Sequence, residues 1–379
     1  MVADVGVAIL GTGFIGRVHA KAARLNGARV VGVAASTPER AREACLELGA
    51  DRADDAEALV EAPDIDVVHV ATPNHLHESL AVAALKAGKH VICEKPLAFD
   101  TPGALRIADA AESAGRIVAV PFVYRFHPVV RQGREMVERG DLGTIRLLHG
   151  SYQQDWMSSA GDWSWRVEPD VGGPSRVFAD IGSHWCDLVE FVTGHRITKV
   201  FAHLTTAIGE RTAGSRDAFA ADSAAEGSDG AALRTVSTED VAMVLFQTDR
   251  GVPGSVVVSQ ISPGRKNRLW FEVDGAASSM VFDQEDSEHL WLGARGSATT
   301  LTRDPTTMVD DAARLSTLPA GHAQGYQDCF DNFVADAYAA MSGDIRPGLP
   351  LVADGVRSTR ITDAVLASAS TNAWEDVHA

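Results

Sequence analysis

The sequence predicts a two-domain α/β protein, in which a doubly wound parallel sheet is followed by an α+β domain with a large, mostly antiparallel sheet. Short apolar runs alternate with helical patterns as far as residue 123, which is typical of parallel strands covered by helices on both faces. Beyond Tyr124, β-rich runs follow one another through Gly and Pro turns, which is typical of antiparallel pairing. The 379 residues also exceed the roughly 250 at which a single core stops growing. We therefore expect a first domain over residues 1–123 and a second over residues 124–379.

Each element of the first domain has its own sequence signal. The first apolar run is closed by the glycine-rich turn Gly11-Thr12-Gly13-Phe14-Ile15-Gly16, after which a helical pattern begins. Thr37-Pro38 offers an N-cap and a proline at the first helical position, Asn74 can cap a later helix, and Thr101-Pro102 opens another. Strands are expected over residues 5–10, 29–34, 64–71, 89–93 and 117–120, with helices between them.

The second domain is expected to combine strands with covering helices. The strands are expected over residues 240–247, 254–260 and 269–274, and the helices over residues 129–139, 324–340 and 352–368. Residues 209–239 are rich in Ala, Ser, Gly and Asp and contain hardly any large apolar side chain. Such a segment cannot bury enough surface to offset its ordering entropy, so we expect a mobile surface loop there.

Charge and composition exclude several classes of function. Lys and Arg number 34 against 51 Asp and Glu, which gives a net charge of −17 and repels nucleic-acid backbones and anionic lipids. No apolar run approaches the ~20 residues of a membrane helix, and the N-terminus lacks the basic region of a signal peptide. The four cysteines are far apart and form no C-x-x-C pair. We expect a cytoplasmic protein with neither a nucleic-acid nor a membrane partner.

The glycine-rich turn predicts a dinucleotide site because it lies between a strand and a helix. Gly11 permits the tight turn, Gly13 lets the backbone approach a pyrophosphate, and Gly16 lets the helix pack on the strand. Phe14 and Ile15 complete the turn and belong to the expected cofactor contacts. A tight turn without a ligand is the other interpretation, which this context disfavours.

The end of the second predicted strand bears on the type of cofactor. An acidic residue there would bind both ribose hydroxyls and repel a 2′-phosphate, but this chain has Ala35-Ser36-Thr37. Ser36, Thr37 and Arg40 offer hydroxyl groups and a cation that suit a 2′-phosphate. NADP is thereby favoured over NAD, while a purely solvated Arg40 would leave either cofactor open.

Two groups of polar residues suit the oxidation of a secondary alcohol. Lys95 follows the run 89–93, at the carboxyl end of a parallel strand, where ligands bind. Asp180 and His184 are four residues apart, so they would face one direction on a helix. Histidine can accept the hydroxyl proton near neutral pH, and the charge of Lys95 would stabilise the developing alkoxide. Asp180 would orient a sugar hydroxyl or the imidazole.

Other interpretations of these residues stay open on local sequence alone. An isolated histidine such as His184 is more often a buried structural residue than a catalytic one. A carboxylate and a histidine four residues apart could also bind a metal, but zinc needs three or four ligands. No third ligand is evident near Asp180 and His184, so no metal is expected.

Three blocks of sequence together resemble the Gfo/Idh/MocA oxidoreductase family, which groups glucose-fructose oxidoreductase, inositol dehydrogenase and related sugar dehydrogenases. The blocks are residues 11–16, residues 71–98 and residues 172–187. The resemblance extends over nearly the whole chain and implies a Rossmann domain followed by a domain with an open-faced sheet. It also implies that this open face builds a homo-dimer or homo-tetramer.

The resemblance implies a role for individual residues. Lys95 matches the catalytic lysine of the family's Glu-Lys-Pro motif, and Asp180 and His184 match its Asp and His, with His184 as the proton acceptor. The residues implied to lie near the nicotinamide ribose are Thr72, Pro73, Asn74 and His77. Glu94 is implied to lie close to the cofactor.

Further residues are expected to contact the substrate. Tyr124 and Arg125 resemble the family's connection between domains, where they would reach the substrate cleft or act as a hinge. Trp163 and Arg166 lie in a polar, tryptophan-rich stretch, and an aromatic face can stack on the C–H face of a sugar ring. Anchoring of a loop or of a subunit interface is the other interpretation of this stretch.

The sequence departs from the family pattern at two places. Many members continue with a glycine and aliphatic residues where this chain has Pro174-Ser175-Arg176, which bears on the shape of the substrate. NAD-specific members keep an acid at the position of Ala35, which bears on the cofactor.

Three functional hypotheses follow. The leading one is an NAD(P)-dependent dehydrogenase that acts on a secondary hydroxyl of a sugar, a sugar derivative or a cyclitol. The second is a glycoside-cleaving enzyme that uses transient oxidation by a bound nicotinamide cofactor. The third is a catalytically silent nicotinamide-binding regulator, against which the joint presence of Lys95, Asp180 and His184 argues.

Overall fold

The structure is a computed structural model that describes residues 5–213 and 232–378. These residues form two compact units, of which the first comprises Met1–Val123 and Tyr326–Thr359. The second comprises Tyr124–Gly325 and Arg360–Ala379. The second domain is expected over all of residues 124–379, and the return of Tyr326–Thr359 to the first unit differs from this expectation.

The first unit is built on a six-stranded parallel sheet with the strand order β3-β2-β1-β4-β5-β6. The strands are β1 (Gly6–Leu10), β2 (Arg29–Ala34), β3 (Arg52–Ala53), β4 (Val67–Val70), β5 (His90–Cys93) and β6 (Val118–Ala119). Every residue of β1 and β4 is buried. The chain runs outward in one direction after β1 and in the other after β4. Ligands bind outside the carboxyl ends of the strands at such a switch point.

Helices pack against the large sheet of each unit. In the described residues they are α1 (Phe14–Leu25), α2 (Pro38–Leu48), α3 (Ala56–Glu61), α4 (His77–Lys86), α5 (Thr101–Ala114), α6 (Pro128–Arg139), α7 (Pro169–Gly172), α8 (Ser183–Thr193), α9 (Asp310–Ala313), α10 (Tyr326–Met341) and α11 (Val352–Thr371). Short 3-10 turns lie at Asn74–Leu76, Val123–Phe126, Trp165–Val167 and Gln284–Asp286, and a π-helical turn lies at Phe178–Gly182. The N-cap expected at Thr37 is confirmed, because its side chain accepts a hydrogen bond from the Arg40 amide.

α10 belongs to the first unit for a reason that local sequence patterns do not reveal. It packs against α1, and the side-chain amide of Asn26, at the end of α1, donates to the carbonyl oxygen of Asp331 at 2.9 Å. These two residues are 305 positions apart in the chain. The helical pattern predicts the helix but not the sheet that it covers.

The second unit contains a nine-stranded mixed sheet with the order β16-β15-β14-β13-β7-β12-β11-β8-β17. Its neighbouring strands are antiparallel except for the parallel pair β7 and β12. The strands of this unit are β7 (Ile145–Gln153), β8 (Ile197–Thr205), β9 (Glu210–Thr212), β10 (Leu233–Thr235), β11 (Val241–Thr248), β12 (Pro253–Ser259), β13 (Arg268–Gly275), β14 (Ser279–Asp283), β15 (His289–Ala294), β16 (Ser297–Thr302) and β17 (Glu375–Asp376). β9 and β10 form a separate antiparallel pair.

The nine-stranded sheet is covered on one face and open on the other. Alternate residues of β13 such as Phe271 are buried, and α8 packs against β7 and β13. On the opposite face Met243, Leu245 and Val257 are exposed, with 47%, 51% and 38% of their surface accessible. The expected fold class, a doubly wound parallel sheet followed by an open-faced and mostly antiparallel one, is confirmed.

The segment expected as a mobile loop, residues 209–239, is described only at its two ends, and its residues 214–231 lie outside the described residues. The ends differ from the expectation. β9 pairs with β10, and the side chains of Arg211 and Glu239 are buried. Both charged groups are held by hydrogen bonds, which a count of large apolar residues does not anticipate.

Among the helices of residues 5–213 and 232–378, none combines enough length with enough apolar character to span a membrane.

Candidate active site

The glycine-rich turn joins β1 to α1, and two of its glycines are required by close backbone contacts. Gly11 has a φ of +95°, and a Cβ atom there would lie 2.3 Å from the carbonyl oxygen of Ala71, at the end of β4. A Cβ on Gly16 would lie 2.0 Å from the carbonyl oxygen of Gly11. Any larger residue at either position would push α1 away from the sheet.

The surroundings of Gly13 fit the phosphates of a dinucleotide. A Cβ on Gly13 would meet nothing within 4 Å, and Gly13 is the N-cap of α1, which begins with Phe14 and Ile15. No side chain caps this helix, and its first turn contains no acidic residue. The N-terminus of α1 therefore offers backbone amides and a positive dipole end without a competing carboxylate.

The turn after β4 supplies a second observation that fits a bound cofactor. The hydroxyl oxygen of Thr72 is buried and has no hydrogen-bond partner within the described parts of the chain. Its backbone lies against Gly11, so it is close to the glycine-rich turn. A buried hydroxyl without a partner costs free energy, and a polar ligand would remove that cost.

His77 connects the turns that follow β4 and β5. Its Nε2 lies 2.9 Å from the carbonyl oxygen of Thr72, and its Nδ1 lies 2.8 Å from that of Pro96. The ring is fully buried, and burial lowers its pKa. His77 therefore supports the predicted cofactor residues of both turns, including Pro73 and Asn74 of the first turn.

Glu94 and Lys95 follow β5. The Glu94 carboxylate is 7% exposed; its Oε1 lies 3.2 Å from Nε2 of His19, and its Oε2 accepts a hydrogen bond from the Lys95 amide at 3.1 Å. Burial opposes the ionisation of Glu94, but the hydrogen bond with His19 and the charge of Lys95 lower its pKa overall. An ionised carboxylate thus lies directly beside the predicted catalytic lysine.

The residues after β2 are those expected to suit the 2′-phosphate of NADP. Ala35, Ser36 and Thr37 follow the strand, and no carboxylate is among them. A guanidinium nitrogen of Arg40 lies 3.3 Å from the hydroxyl of Ser36, so a cation and a hydroxyl are side by side. The hydroxyl of Thr37 serves as the N-cap of α2.

In the second unit, Asp180 lies in the π-helical turn Phe178–Gly182, which continues into α8. Its carboxylate accepts a hydrogen bond from Nε2 of Gln260 at 2.7 Å and lies 3.5 Å from Nε of Arg166. π-Helical turns are rare and are frequently found at functional sites. Two polar side chains from other parts of the unit thus orient the predicted Asp180.

His184 lies one turn further along the chain and is 6% exposed. The edge of its ring meets Tyr124 at a centroid distance of 5.1 Å, and Tyr152 lies 6.4 Å away. The hydroxyl oxygens of the two tyrosines are 2.6 Å apart, and each also bonds to the Asn267 side chain, at 3.0 Å and 2.7 Å. This closed triangle of hydrogen bonds fixes both phenols beside the imidazole.

The hydrogen bonds continue from this triangle toward the tryptophan-rich stretch. Gln154 donates to Asn267 at 2.9 Å and accepts from the Trp156 indole at 2.8 Å. The guanidinium of Arg166 lies 5.9 Å from the Trp156 ring and 4.4 Å from the Trp165 ring. Arg166 is thus held between two aromatic rings and beside Asp180.

Two other predicted substrate residues have surroundings that suit packing. The Arg125 guanidinium is 7% exposed, pairs with the Asp187 carboxylate and lies 5.0 Å from the Phe191 ring. Trp163 packs against a small apolar cluster that includes Met157. Both geometries match the alternative interpretations of a hinge and a loop anchor.

The departure at Pro174-Ser175-Arg176 places a charge in the interior of the second unit. Arg176 and Asp240 are both fully buried and form an ion pair, and Arg211 also donates to Asp240, at 2.8 Å. Another guanidinium nitrogen of Arg176 donates to Oε1 of Gln260 at 2.9 Å. Gln260 therefore links this buried ion pair to Asp180.

Metal-ligating side chains come together elsewhere in the second unit. Among the described residues, one group of three has ligand atoms close enough to share an ion, and it consists of His149, Glu272 and Asp274. Neither Asp180 nor His184 belongs to it.

Sequence reasoning missed Tyr152, Gln154, Gln260 and Asn267. Gln154 directly follows β7 and Gln260 directly follows β12, and these two strands are the parallel neighbours of the sheet. Polar residues at the ends of two strands were a visible signal, but the parallel pairing that brings the ends together was not.

The glycine-rich turn, the polar strand ends around it and the polar group around His184 define the class of the protein as a nicotinamide dinucleotide-dependent oxidoreductase. Comparison with known families agrees. Residues 5–122 match the model of an oxidoreductase family with an NAD-binding Rossmann fold, and residues 130–281 match the GFO/IDH/MocA C-terminal domain. The chain belongs to the GFO/IDH/MocA family.

Similar proteins include levoglucosan and inositol dehydrogenases. Levoglucosan dehydrogenase of Pseudarthrobacter phenanthrenivorans is 32% identical over an alignment of 396 positions, gaps included, which covers 99% of this chain and 98% of that protein. A solved levoglucosan dehydrogenase in complex with NADH and L-sorbose is 29% identical, with a TM-score of 0.89 and full coverage of both chains. An inositol dehydrogenase homologue of Azotobacter vinelandii in complex with NAD+ is 28% identical, with a TM-score of 0.86 and coverage of 99% and 98%.

Proposed function

We propose that this protein reversibly oxidises one secondary hydroxyl of a neutral cyclic polyol, a sugar derivative or a cyclitol, with a nicotinamide dinucleotide as the acceptor. One observation carries the proposal: His184 and Asp180 are surrounded by neutral hydrogen-bonding side chains that are themselves held in a fixed network. Those side chains are Tyr124, Tyr152, Asn267, Gln154 and Gln260.

The charges of this group favour an uncharged substrate. Arg166 lies beside Asp180 in the second unit, and it is already paired with that carboxylate. The remaining groups are phenols and amides, which donate to and accept from hydroxyl groups equally well. A carboxylated sugar would need a cation without a counter-charge. Levoglucosan and myo-inositol, both neutral cyclic polyols, are therefore the first substrates to test.

Each catalytic residue has a distinct task in this proposal. When bound, the nicotinamide accepts the hydrogen of the carbinol carbon together with its electron pair. His184 takes the proton of the hydroxyl, and the ammonium of Lys95 stabilises the negative charge that develops on the oxygen. Asp180, fixed by Gln260, accepts a hydrogen bond that orients the reacting group.

For the cofactor we propose a preference for NADP. The end of β2 lacks a carboxylate, and Arg40 lies beside Ser36, so a 2′-phosphate would meet a cation and a hydroxyl. Arg40→Ala should then weaken NADPH binding about tenfold and leave NADH binding within about twofold, since one charged hydrogen bond is lost. Fluorescence titration with both nucleotides measures this, and tighter binding of NADH than NADPH by the unaltered protein would refute the preference.

The proposed reaction is tested by following cofactor absorbance at 340 nm with a panel of polyols. Lys95→Ala should lower turnover by about a hundredfold or more but weaken nucleotide binding only slightly, because its charge matters most in the transition state. Lys86→Ala, which removes an exposed lysine of α4, is the matched control. Equal turnover in Lys95→Ala and Lys86→Ala would contradict the assigned role.

The same assay separates the other hypotheses. A glycoside-cleaving enzyme releases an aglycone with no net change at 340 nm, whereas a dehydrogenase forms reduced cofactor in proportion to product. A regulator binds the nucleotide but neither releases an aglycone nor changes the absorbance at 340 nm. Accumulation of reduced cofactor with a polyol supports the dehydrogenase.

We also propose a homo-oligomer that buries the open face of the nine-stranded sheet, and a cytoplasmic location. The exposed Met243, Leu245 and Val257 support the homo-oligomer, since apolar side chains grouped on one face mark contact surfaces.

The four cysteines are all free thiols, which supports the cytoplasmic location.

A further inference from the structure

Three buried side chains of the first unit form a hydrogen-bonded chain that ends on Glu94. His19 lies on α1, His69 on β4 and Tyr338 on α10. Nδ1 of His19 lies 2.9 Å from Nδ1 of His69, and Nε2 of His69 lies 3.0 Å from the Tyr338 hydroxyl. Nε2 of His19 faces Oε1 of Glu94 at 3.2 Å. Both histidines are fully buried and Tyr338 is 2% exposed, so solvent cannot replace these bonds.

The contacts determine that Nε2 of His19 carries a proton and limit the other nitrogen atoms to two arrangements, because a neutral imidazole has a single N–H. The ionised Glu94 carboxylate can only accept, so Nε2 of His19 donates to it. If His19 is neutral, its Nδ1 accepts from His69, and Nε2 of His69 accepts from the Tyr338 hydroxyl. If His19 is protonated, both of its nitrogens donate and the remaining bonds reverse. Either arrangement satisfies every bond of the chain, and in both of them His19 donates to Glu94.

The charges of the chain agree with this assignment. Burial and the neighbouring His19 hold the pKa of His69 well below its usual value, and burial raises the pKa of Tyr338, so both are neutral near pH 7. Burial would raise the pKa of Glu94, but its hydrogen bond with His19 contributes to an overall lowering. The titratable groups that act on or face the Glu94 carboxylate are His19, Lys95, His77 and Cys93.

Glu94 transmits this arrangement to Lys95. One carboxylate oxygen accepts from His19 and the other accepts from the backbone amide of Lys95. The Phe330 ring packs edge-on against His19 at 4.7 Å, which limits rotation of the imidazole. We propose that His19, His69 and Tyr338 are positioning residues that keep the Glu94 carboxylate oriented and ionised beside Lys95. The inference rests on the proposed function, because it takes Lys95 as the group that stabilises the alkoxide.

The proton positions can be measured without any substrate. In the unaltered protein labelled with ¹⁵N-histidine, NMR should show His19 protonated at Nε2, with a downfield proton signal that exchanges slowly with water. His19→Gln identifies the signal by removing it. An unprotonated Nε2 of His19 near pH 7 would overturn the proposal, whatever the protein's activity.

The effect on the reaction is tested with a matched pair of substitutions at one position. His19→Phe removes the donor to Glu94, and His19→Gln keeps an amide donor there. His184 must be unprotonated to act as the base, so its protonation already contributes to the acid limb of the kcat/KM profile. Without its donor, buried Glu94 takes up a proton at higher pH, so His19→Phe should steepen this limb and move its midpoint upward, and should lower kcat about tenfold. His19→Gln should stay within about threefold in kcat with the limb in place, since the donor remains. Tyr338→Phe should shift the limb in the same direction by less.

Phe330→Leu is the control for packing, because it disturbs the surroundings of His19 without removing a hydrogen bond. It should lower the melting temperature and leave the acid limb unchanged. A limb that moves equally in His19→Phe, His19→Gln and Phe330→Leu, or in none of them, would refute the positioning role. Failure of the proposed function gives a different result: no polyol reduces the cofactor in the unaltered protein. The histidine NMR experiment still shows in that case whether His19 donates to Glu94.

Discussion

Replacing Gln260 by leucine should weaken both the second unit and the reaction. Gln260 is fully buried, donates to Asp180 at 2.7 Å and accepts from Arg176 at 2.9 Å. Both partners are charged, and such hydrogen bonds contribute about 1.5–3 kcal/mol each. Leucine has a similar volume and makes neither bond, so the free energy of unfolding should fall by about 3 kcal/mol or more.

The expected loss is large enough to measure as a melting temperature. For a domain of 150–250 residues, 1 kcal/mol corresponds to roughly 2–4 °C, so Gln260→Leu should melt roughly 6–12 °C lower. Its kcat/KM should fall about tenfold or more, because Asp180 loses the amide that orients it. NADPH binding should be unaffected, since Gln260 belongs to the second unit and the dinucleotide residues to the first.

Ser370→Leu is the control, because Ser370 is exposed on α11 of the same unit and lies outside the open sheet face. It places the same leucine at a solvated position and should change the melting temperature by about 1 °C or less, as surface substitutions usually do. If Gln260→Leu melted within 2 °C of Ser370→Leu, where roughly 6 °C is the smallest loss expected, the strength assigned to these bonds would be wrong.

Three further predictions concern the glycine turn, the open sheet face and the buried histidines. Gly11→Ala should abolish NADPH binding and destabilise the fold, because its Cβ would lie 2.3 Å from the Ala71 carbonyl, whereas Gly13→Ala should fold normally and lose affinity in the same titration. Leu245→Arg should convert the proposed homo-oligomer into smaller species in light scattering; an unchanged oligomeric mass would exclude this face as the contact. His69 has a lowered pKa, so below pH 6.5, the ordinary pKa of histidine, the unfolded chain binds more protons than the folded protein. The free energy of unfolding therefore decreases as the pH is lowered, by at most about 1.4 kcal/mol per pH unit for this group. Urea unfolding at several pH values should show a shallower decline in His69→Gln, and parallel curves would contradict the assignment.

Signals that act over a few residues predicted much of the first unit. Gly11 and Gly16 are required by contacts with neighbouring backbone, and Thr37 caps its helix as expected. Such features depend on φ angles and on donors within a turn, which the sequence encodes locally. β3 was missed because a strand of two residues carries no periodic signal.

Long-range pairing accounts for most of what sequence reasoning missed. Gln154 and Gln260 lie at neighbouring strand ends only because β7 and β12 are parallel, in a sheet whose other pairs are antiparallel. Tyr338 bonds to His69, 269 positions away, because α10 returns to the first unit. Hydropathy patterns predict that an element has a buried face, but not which element covers that face.

Buried charge was also hidden, since arginine and aspartate in a sequence usually indicate surface. A buried ion pair such as Arg176 with Asp240 is costly to desolvate, and apolar residues of the same volume are often at least as stable. Here the hydrogen bonds of the buried ion pair lead in two directions, to Asp180 and to the loop around Met157. Arg176 donates to Gln260, which donates to Asp180, while Arg211 donates both to the Asp240 carboxylate and to the carbonyl oxygen of Met157, the latter at 2.9 Å.

These bonds have fixed directions, whereas apolar contacts do not. The Asp240 carboxylate, which two guanidinium groups share, therefore sets the orientation of Asp180 relative to the loop that follows Trp156. Apolar contacts of equal stability would fix this orientation less strictly. We therefore expect Arg176 to influence substrate binding indirectly, by fixing the position of Asp180 through Gln260.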